Sequence, residues 1–181
     1  MENIWTGIIK PVLPGRLAKP RTTGLTMELD KGLGLNSTKD LLDTAKLYID
    51  EIKLTFGTSY FYEKNLLEKK IEMIRAADIQ VMPGGTMTEV AIWEGVYPQY
   101  LKQAKSKGFT TIEISDGTIS MTVEERAEYI KRAADEGFIV ITEVGTKDLK
   151  NPRAVEELNE QIHTDLASGA AKVVIEAKEA G

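Results

Sequence analysis

The chain has 181 residues, a net charge of −5 and no cysteine. Its length suits one domain or most of a larger one, and 42% hydrophobic with 28% charged residues is typical of a globular protein. The acidic balance argues against nonspecific binding to nucleic acid, and the lack of cysteine excludes disulfides, thiolate nucleophiles and cysteine-ligated metals. The start lacks a signal-peptide pattern and no apolar run could span a bilayer, so we expect a cytoplasmic protein with no membrane partner.

Residues 1–23 are predicted to form an irregular N-terminal arm. Prolines interrupt this segment, and proline is incompatible with a continuous helix or a central strand. The arm also carries the basic residues Lys10, Arg16, Lys19 and Arg21. We expect the arm to pack over the surface of the domain or against a neighbouring subunit. Contact between these cations and an anionic ligand is the alternative.

A single domain is predicted over residues 24–181, built from strands that alternate with helices. Runs rich in β-branched and apolar residues predict six strands, at 25–30, 51–56, 79–83, 110–115, 138–144 and 172–177. Three residue pairs predict helix starts: Ser37 with Asp40, Thr122 with Glu125, and Asn151 with Pro152. This alternation predicts parallel strands joined by right-handed crossovers.

Polar or charged residues follow most of these strands, which favours a parallel (β/α) barrel of TIM type. The first strand is not followed by a glycine-rich phosphate loop of the G-x-G-x-x-G or Walker type, which a doubly wound sheet would usually have. In a TIM barrel the carboxyl ends of all strands converge on one face, where the active site lies. The 181 residues account for six strands and leave strands seven and eight absent, so we expect a barrel that is incomplete at its C-terminus.

Two strands contain a glutamate where a buried parallel strand normally has an apolar residue. Glu143 lies within the run 138–144, and Glu113 takes a similar place in the run 110–115. A carboxylate inside a sheet is costly unless a metal, a cation or a substrate requires it there. The repetition favours a functional role over a glutamate on the solvent face of an edge strand.

Six short motifs follow one another along the chain at the predicted strand ends. They are DKG at 30–32, Lys53 with FGTS at 56–59, PGGT at 83–86, IEISDG at 112–117, EVGTK at 143–147 and IEAKEAG at 175–181. Together they resemble the phosphosulfolactate synthase family. The resemblance implies a (β/α)8 barrel that uses Mg²⁺ to add sulfite to phosphoenolpyruvate, giving phosphosulfolactate. The chain departs from the family at Lys178, where arginine is usual, and in the absence of strands seven and eight.

The resemblance also implies roles for individual residues. Lys147 matches the catalytic lysine of the family and would give a proton to the α-carbon, with Glu143 and Glu113 as the other catalytic residues. The candidate Mg²⁺ ligands are the carboxylates Asp30, Glu113, Glu143 and Glu176. The candidate residues for binding the two small anions, phosphoenolpyruvate and sulfite, are Lys31, Lys53, Gly84, Gly85, Thr86, Asp116 and Lys178.

Simpler interpretations exist for two of these residues. Lys53 could pair with Asp50 or Glu51 at the surface, and Asp116 could do no more than cap the turn at Gly117.

The chain as a whole has an alternative as well, a catalytically inactive, truncated barrel fragment that self-associates through its open sheet edges. Closure into a smaller, six-stranded barrel would be opposed by like-charge repulsion among Glu28, Glu113, Glu143 and Glu176. For such a fragment we therefore expect a homo-oligomer, most simply a dimer whose edge strands meet across subunits, with little or no synthase activity.

Overall fold

A computed structural model describes residues 4–10, 15–145 and 154–176 of the chain. The strands are β1 (Met27–Asp30), β2 (Glu51–Leu54), β3 (Gln80–Met82), β4 (Thr111–Ile114), β5 (Ile139–Val144) and β6 (Lys172–Ile175). The helices are α1 (Leu35–Ala45), α2 (Lys64–Ala76), α3 (Gly85–Trp93), α4 (Tyr97–Ser106), α5 (Val123–Asp135) and α6 (Val155–Ala167), and a 3₁₀ segment, Thr55–Phe61, follows β2. Each predicted strand is thus present in a shorter form. Among the described residues, none of these helices is both long and apolar enough to cross a membrane.

The predicted helix starts have different outcomes. The Thr122 hydroxyl accepts the Glu125 N–H and the Glu125 carboxylate accepts the Thr122 N–H, so the predicted capping box opens α5. Ser37 is not a cap, because α1 begins two residues earlier and Gly34 is its N-cap. The Asp30 side chain accepts the N–H groups of Gly32 and Leu33, which turns the chain before Ser37 is reached.

The predicted start of the last helix also differs. Helix α6 begins at Val155 with Ala154 as its N-cap, and its N-cap makes no side-chain hydrogen bond. Asn151 and Pro152 lie outside the described residues.

All strand pairs are parallel, as predicted, but they form two three-stranded sheets with the orders β1-β2-β3 and β4-β5-β6. At the junction between the sheets, Thr110 N–H donates to the Val81 carbonyl at 3.0 Å, whereas the Val81 N–H donates to the Thr110 hydroxyl at 2.9 Å. The Thr110 side chain therefore accepts the Val81 N–H, a backbone donor that would otherwise be free to continue the β-sheet hydrogen bonds. Over the residues that the structure describes, the chain is an α/β fold with parallel sheets that do not close into a complete barrel.

The strand register assigns the in-strand acids to opposite faces of the sheets. Residues that alternate along a strand point to opposite faces, and paired residues share a face. Ile52, Leu54, Ile112, Ile114 and Val140 lie on the face covered by the helices and belong to the hydrophobic core. Lys53, Glu113 and Glu143 alternate with them and therefore share the other, inner face.

Glu28 and Asp30 pair with Ile52 and Leu54, so they share the helix-covered face. The inclusion of Glu28 in the repulsion argument against a closed six-stranded barrel is therefore wrong, because strand alternation separates Glu28 from the inner face that holds Glu113 and Glu143.

The described residues of the N-terminal arm, 4–10 and 15–23, contain turns and bends but neither helix nor strand. Arg21 Nε contacts both carboxylate oxygens of Asp50 at 2.9 and 3.0 Å, and its two terminal nitrogens donate to the carbonyls of Leu17 and Leu47. Arg16 donates to the Tyr48 carbonyl and lies over the Tyr48 ring. These cations hold the arm against the amino-terminal ends of β1 and β2, which favours the packing interpretation over the anionic-ligand alternative.

Candidate active site

Lys53 links three strands across the inner face of the sheets. Its Nζ donates to Glu113 Oε1 at 2.6 Å and to Glu143 Oε2 at 3.3 Å. Burial alone would lower the pKa of Lys53, but the two adjacent carboxylates outweigh burial and leave the pKa raised. Lys53 is therefore a charged residue of the interior, so the interpretation as a surface partner of Asp50 or Glu51 is wrong.

Glu113 also binds the start of α3. Its side chain is only 1% exposed, and Oε2 accepts the Gly85 N–H at 2.6 Å. Burial raises the pKa of Glu113, with Lys53 and the Gly85 N–H acting in the opposite direction. The backbone donor that the sequence assigned to a bound anion thus faces a carboxylate of the protein, and Thr86, next along the helix, is exposed.

The two glycines at the start of α3 are required by close contacts. Gly84 has φ +85° and ψ 156°, and a Cβ there would lie 2.7 Å from the Leu54 carbonyl oxygen. A Cβ on Gly85 would overlap the Ser115 hydroxyl and approach the Glu113 carboxylate to 3.1 Å. Glycine at both positions therefore lets α3 begin directly against β2 and β4.

The loop after β4 is held by Glu89 of α3, which is 2% exposed. Glu89 Oε1 accepts the Ser115 hydroxyl and the Gly117 N–H, the latter at 3.2 Å. Oε2 accepts the Thr118 hydroxyl and, at 2.7 Å, the Thr118 N–H. Burial opposes ionisation, but these hydrogen bonds outweigh it and lower the pKa of Glu89. Because Glu89 takes the Gly117 N–H, Asp116 is not the cap of that turn.

Arg126 of α5 holds the other side of this loop. It is 4% exposed and forms a bidentate pair with Asp165 of α6, with both distances 2.8 Å. The same guanidinium donates to the Glu143 carbonyl at 3.0 Å and lies 3.7 Å from an Asp116 carboxylate oxygen. Arg126 thus ties the ends of β4 and β5 to two helices beneath the candidate site.

Asp30 lies apart from the Lys53 cluster, on the helix-covered face. One oxygen pairs with Lys70 of α2, and the other accepts the Gly32 and Leu33 N–H groups at 2.8 Å. Lys70 also donates to the Leu33 carbonyl at 2.6 Å and to the Tyr62 hydroxyl at 2.8 Å. Both carboxylate oxygens of Asp30 are therefore directed toward α2 and its own loop.

The remaining predicted residues lie in three kinds of place. Lys31 is exposed on the loop after β1. Glu176 follows β6, and its N–H donates to the Val144 carbonyl at 2.9 Å beside Gly145. Lys147 and Lys178 lie outside the described residues. Over the described ranges, no three histidine, aspartate or glutamate side chains are grouped so that they could hold a metal ion, and the predicted four-carboxylate set is not gathered.

Several buried charged residues outside the Lys53 cluster were missed in the sequence, although the helix positions of three of them carry a signal. Lys70 lies on the apolar stripe of α2 with Leu67, Ile71 and Ile74. Arg126 is at the same spacing from Ile130 and Ala133 of α5, and Glu89 is the one charged residue within α3. A charge on a helical apolar stripe predicts a buried ionic or hydrogen-bonding partner, which the strand-end motifs alone do not reveal.

Comparison with known proteins supplies the context for this site. Residues 14–181 match the family model described as (2R)-phospho-3-sulfolactate synthase (ComA). Over 170 residues the chain is 40% identical to the phosphosulfolactate synthase of Methanothermobacter thermautotrophicus, covering 93% of this chain and 66% of that protein. Over 171 residues it is 39% identical to the phosphosulfolactate synthase of Bacillus subtilis (strain 168), covering 93% and 67%. The chain spans about two thirds of the length of these curated relatives.

Solved structures resemble the fold at much lower sequence identity. A crystal structure of 2,3-dimethylmalate lyase, a PEP mutase/isocitrate lyase superfamily member, has a TM-score of 0.56 and 16% identity, with 86% of this chain and 58% of that chain covered. A crystal structure of oxaloacetate acetylhydrolase gives a TM-score of 0.54 at 14% identity, covering 84% and 58%. At these identities the likeness concerns the α/β architecture alone.

Proposed function

The chain belongs to the (2R)-phospho-3-sulfolactate synthase (ComA) family, and we propose that it adds sulfite to phosphoenolpyruvate to give phosphosulfolactate. The observation that carries this proposal is the cluster of Lys53, Glu113 and Glu143 on the inner face of the parallel sheets, where side chains from β2, β4 and β5 meet. Family membership favours this enzyme over the alternative of an inactive, self-associating fragment.

The reaction joins two anions and therefore needs positive charge. The sulfur lone pair of sulfite attacks the methylene carbon of phosphoenolpyruvate, and the electrons of the C=C bond move toward the α-carbon and the carboxylate. A proton added at the α-carbon completes the product. Lys53, kept charged by its two glutamates, is suited to face the carboxylate as negative charge develops there.

Mg²⁺ remains a proposal, supported by the donor set of the cluster. Glu113 and Glu143 already face one cation, the Lys53 ammonium, with hard carboxylate oxygens. Mg²⁺ in enzymes is commonly held by one or two carboxylates together with substrate and water, so these two residues would suffice. When bound, the ion would neutralise charge on the substrate carboxylate. Glu176 is a further candidate ligand, whereas we leave out Asp30 because it faces α2.

The remaining roles rest on the family resemblance. Lys147, which is three residues beyond the end of β5 in the sequence, would donate its ammonium proton to the α-carbon of the substrate. Lys31, Lys178 and Thr86 would bind the phosphate and sulfite anions, whereas the Gly85 N–H faces Glu113. Asp116 is a further substrate-site residue that the resemblance implies.

We also propose that the two sheets are parts of one (β/α) barrel, with β3 and β4 as neighbouring strands. Two features support this arrangement: the Thr110–Val81 hydrogen bonds at the junction, and the contacts of Lys53 with strands of the other sheet.

Turnover tests the proposed function directly. The 181-residue chain is mixed with phosphoenolpyruvate, sulfite and Mg²⁺, and ³¹P NMR follows the conversion of the enol phosphate signal into that of an alkyl phosphate. We expect product from the wild-type chain and none from Lys53→Met. Lys131→Met is the matched control, because Lys131 forms an exposed ion pair with Asp135 on α5 and should leave turnover unchanged.

The outcomes separate the possibilities. A wild-type chain that leaves phosphoenolpyruvate unchanged would refute the proposed function and favour the inactive fragment. Turnover that persists undiminished in EDTA would remove Mg²⁺ from the proposal, and undiminished turnover in Lys53→Met would remove that lysine.

A further inference from the structure

The groups that surround the Glu89 carboxylate are all hydrogen-bond donors. Two are backbone N–H groups, of Gly117 and Thr118, and two are the hydroxyls of Ser115 and Thr118. A backbone N–H can only donate, so the site requires an acceptor at both carboxylate oxygens. An ionised glutamate meets this requirement, and a glutamine does not, because its NH₂ group would face at least one N–H donor.

The loop that Glu89 binds is joined to the Lys53 cluster. Ser115, at the end of β4, lies so close to Gly85 that any side chain there would collide with its hydroxyl. The Gly85 N–H in turn donates to Glu113, which pairs with Lys53. A displacement of the loop would therefore shift Gly85, the first residue of α3, and with it the Glu113 carboxylate that Gly85 binds.

The loop also carries Asp116, between the two residues that contact Glu89 Oε1. Arg126 lies 3.7 Å from Asp116 on the opposite side, and its Nη1 is buried without a hydrogen-bond partner among the described residues. This longer contact restrains the loop less than the four bonds to Glu89 do. The position of Asp116 thus depends mainly on Glu89.

We infer that Glu89 is a positioning residue for sulfite addition, which fixes residues 115–118 so that Asp116 and the Gly85–Glu113 contact keep the geometry the reaction needs. The inference rests on the proposed function, and Glu89 itself touches neither substrate. A misplacement of about 1 Å in a supporting shell can lower turnover by about 10- to 100-fold.

The test compares Glu89→Gln with Thr88→Val, its neighbour on α3. Thr88 is fully buried and its hydroxyl bonds to Tyr100 at 3.1 Å, so the control loses a buried hydrogen bond that does not involve the loop. Both variants should be less stable than the wild type. We expect kcat/KM for phosphoenolpyruvate to fall about 10- to 100-fold in Glu89→Gln only.

Hydrogen exchange gives a second readout that needs no turnover. The Gly117 and Thr118 amides should exchange about tenfold faster or more in Glu89→Gln, and at the wild-type rate in Thr88→Val. Equal kinetic losses in the two variants, or unchanged exchange in Glu89→Gln, would overturn the positioning role. An inactive wild-type chain would refute the proposed function, and the exchange rates would still decide whether Glu89 fixes the loop.

Discussion

Replacing Lys70 by methionine should destabilise the chain strongly, because it leaves a buried charge without its partner. Lys70 is 0% exposed and Asp30 1% exposed, so water cannot replace the lost ammonium. Removing one partner of a buried ion pair costs about 3–5 kcal/mol. Asp30 keeps its hydrogen bonds from Gly32 and Leu33, which places the expected loss at the lower end, about 3 kcal/mol. For a chain of this length, that loss lowers the melting temperature by about 6 to 12 °C.

Thermal unfolding followed by circular dichroism measures the effect, with two further variants. Lys131→Met removes an ion pair of the same type whose side chains are 69% and 65% exposed, and should shift the melting temperature little. The double variant Asp30→Asn/Lys70→Met removes both charges and should recover at least half of the loss. A single variant that melts within about 2 °C of the wild type, or a double variant as unstable as the single one, would refute the reasoning.

The other predictions concern backbone geometry, pH and assembly. Gly84→Ala should cost about 1–3 kcal/mol because only glycine adopts its backbone conformation readily, whereas Gly34→Ala, with open space around its Cβ, should cost far less in the same urea titration. Ionised Glu89 stabilises the fold at pH values above its ordinary pKa of 4.5, and this stabilisation is lost as the pH falls through the lowered pKa of the folded state. The difference in unfolding free energy between wild type and Glu89→Gln should therefore be constant from pH 7 to about 5 and shrink below that pH. A constant difference down to about pH 3.5 would contradict the lowered pKa. Light scattering should find a dimer, since β1 and β6 each pair on one side only within the described residues, and a cooperatively melting monomer would contradict this.

Local features of the sequence determined the order and type of the elements. The β-branched runs predicted six strands, and all six are present in the described residues, because strand preference and the spacing of apolar residues act over a few neighbours. The capping box at Thr122 and Glu125 was predictable for the same reason, since both partners lie within one helical turn. Ser37 shows the limit of this reasoning: it has the right chemistry for a cap, but the Asp30 side chain starts the turn earlier.

The composition of the site was decided only by the tertiary structure. Lys53 meets Glu113 and Glu143 across 60 and 90 residues of sequence, a distance over which no local pattern specifies a partner. Asp30 and Glu113 look alike in the sequence as acids of predicted strands, yet strand alternation and register direct Asp30 toward Lys70 and Glu113 toward Lys53. The sequence thus specified which charged residues could lie in the interior. The packing of strands and helices decided which of them form ion pairs, because a buried ion is stable only beside a partner that the fold places next to it.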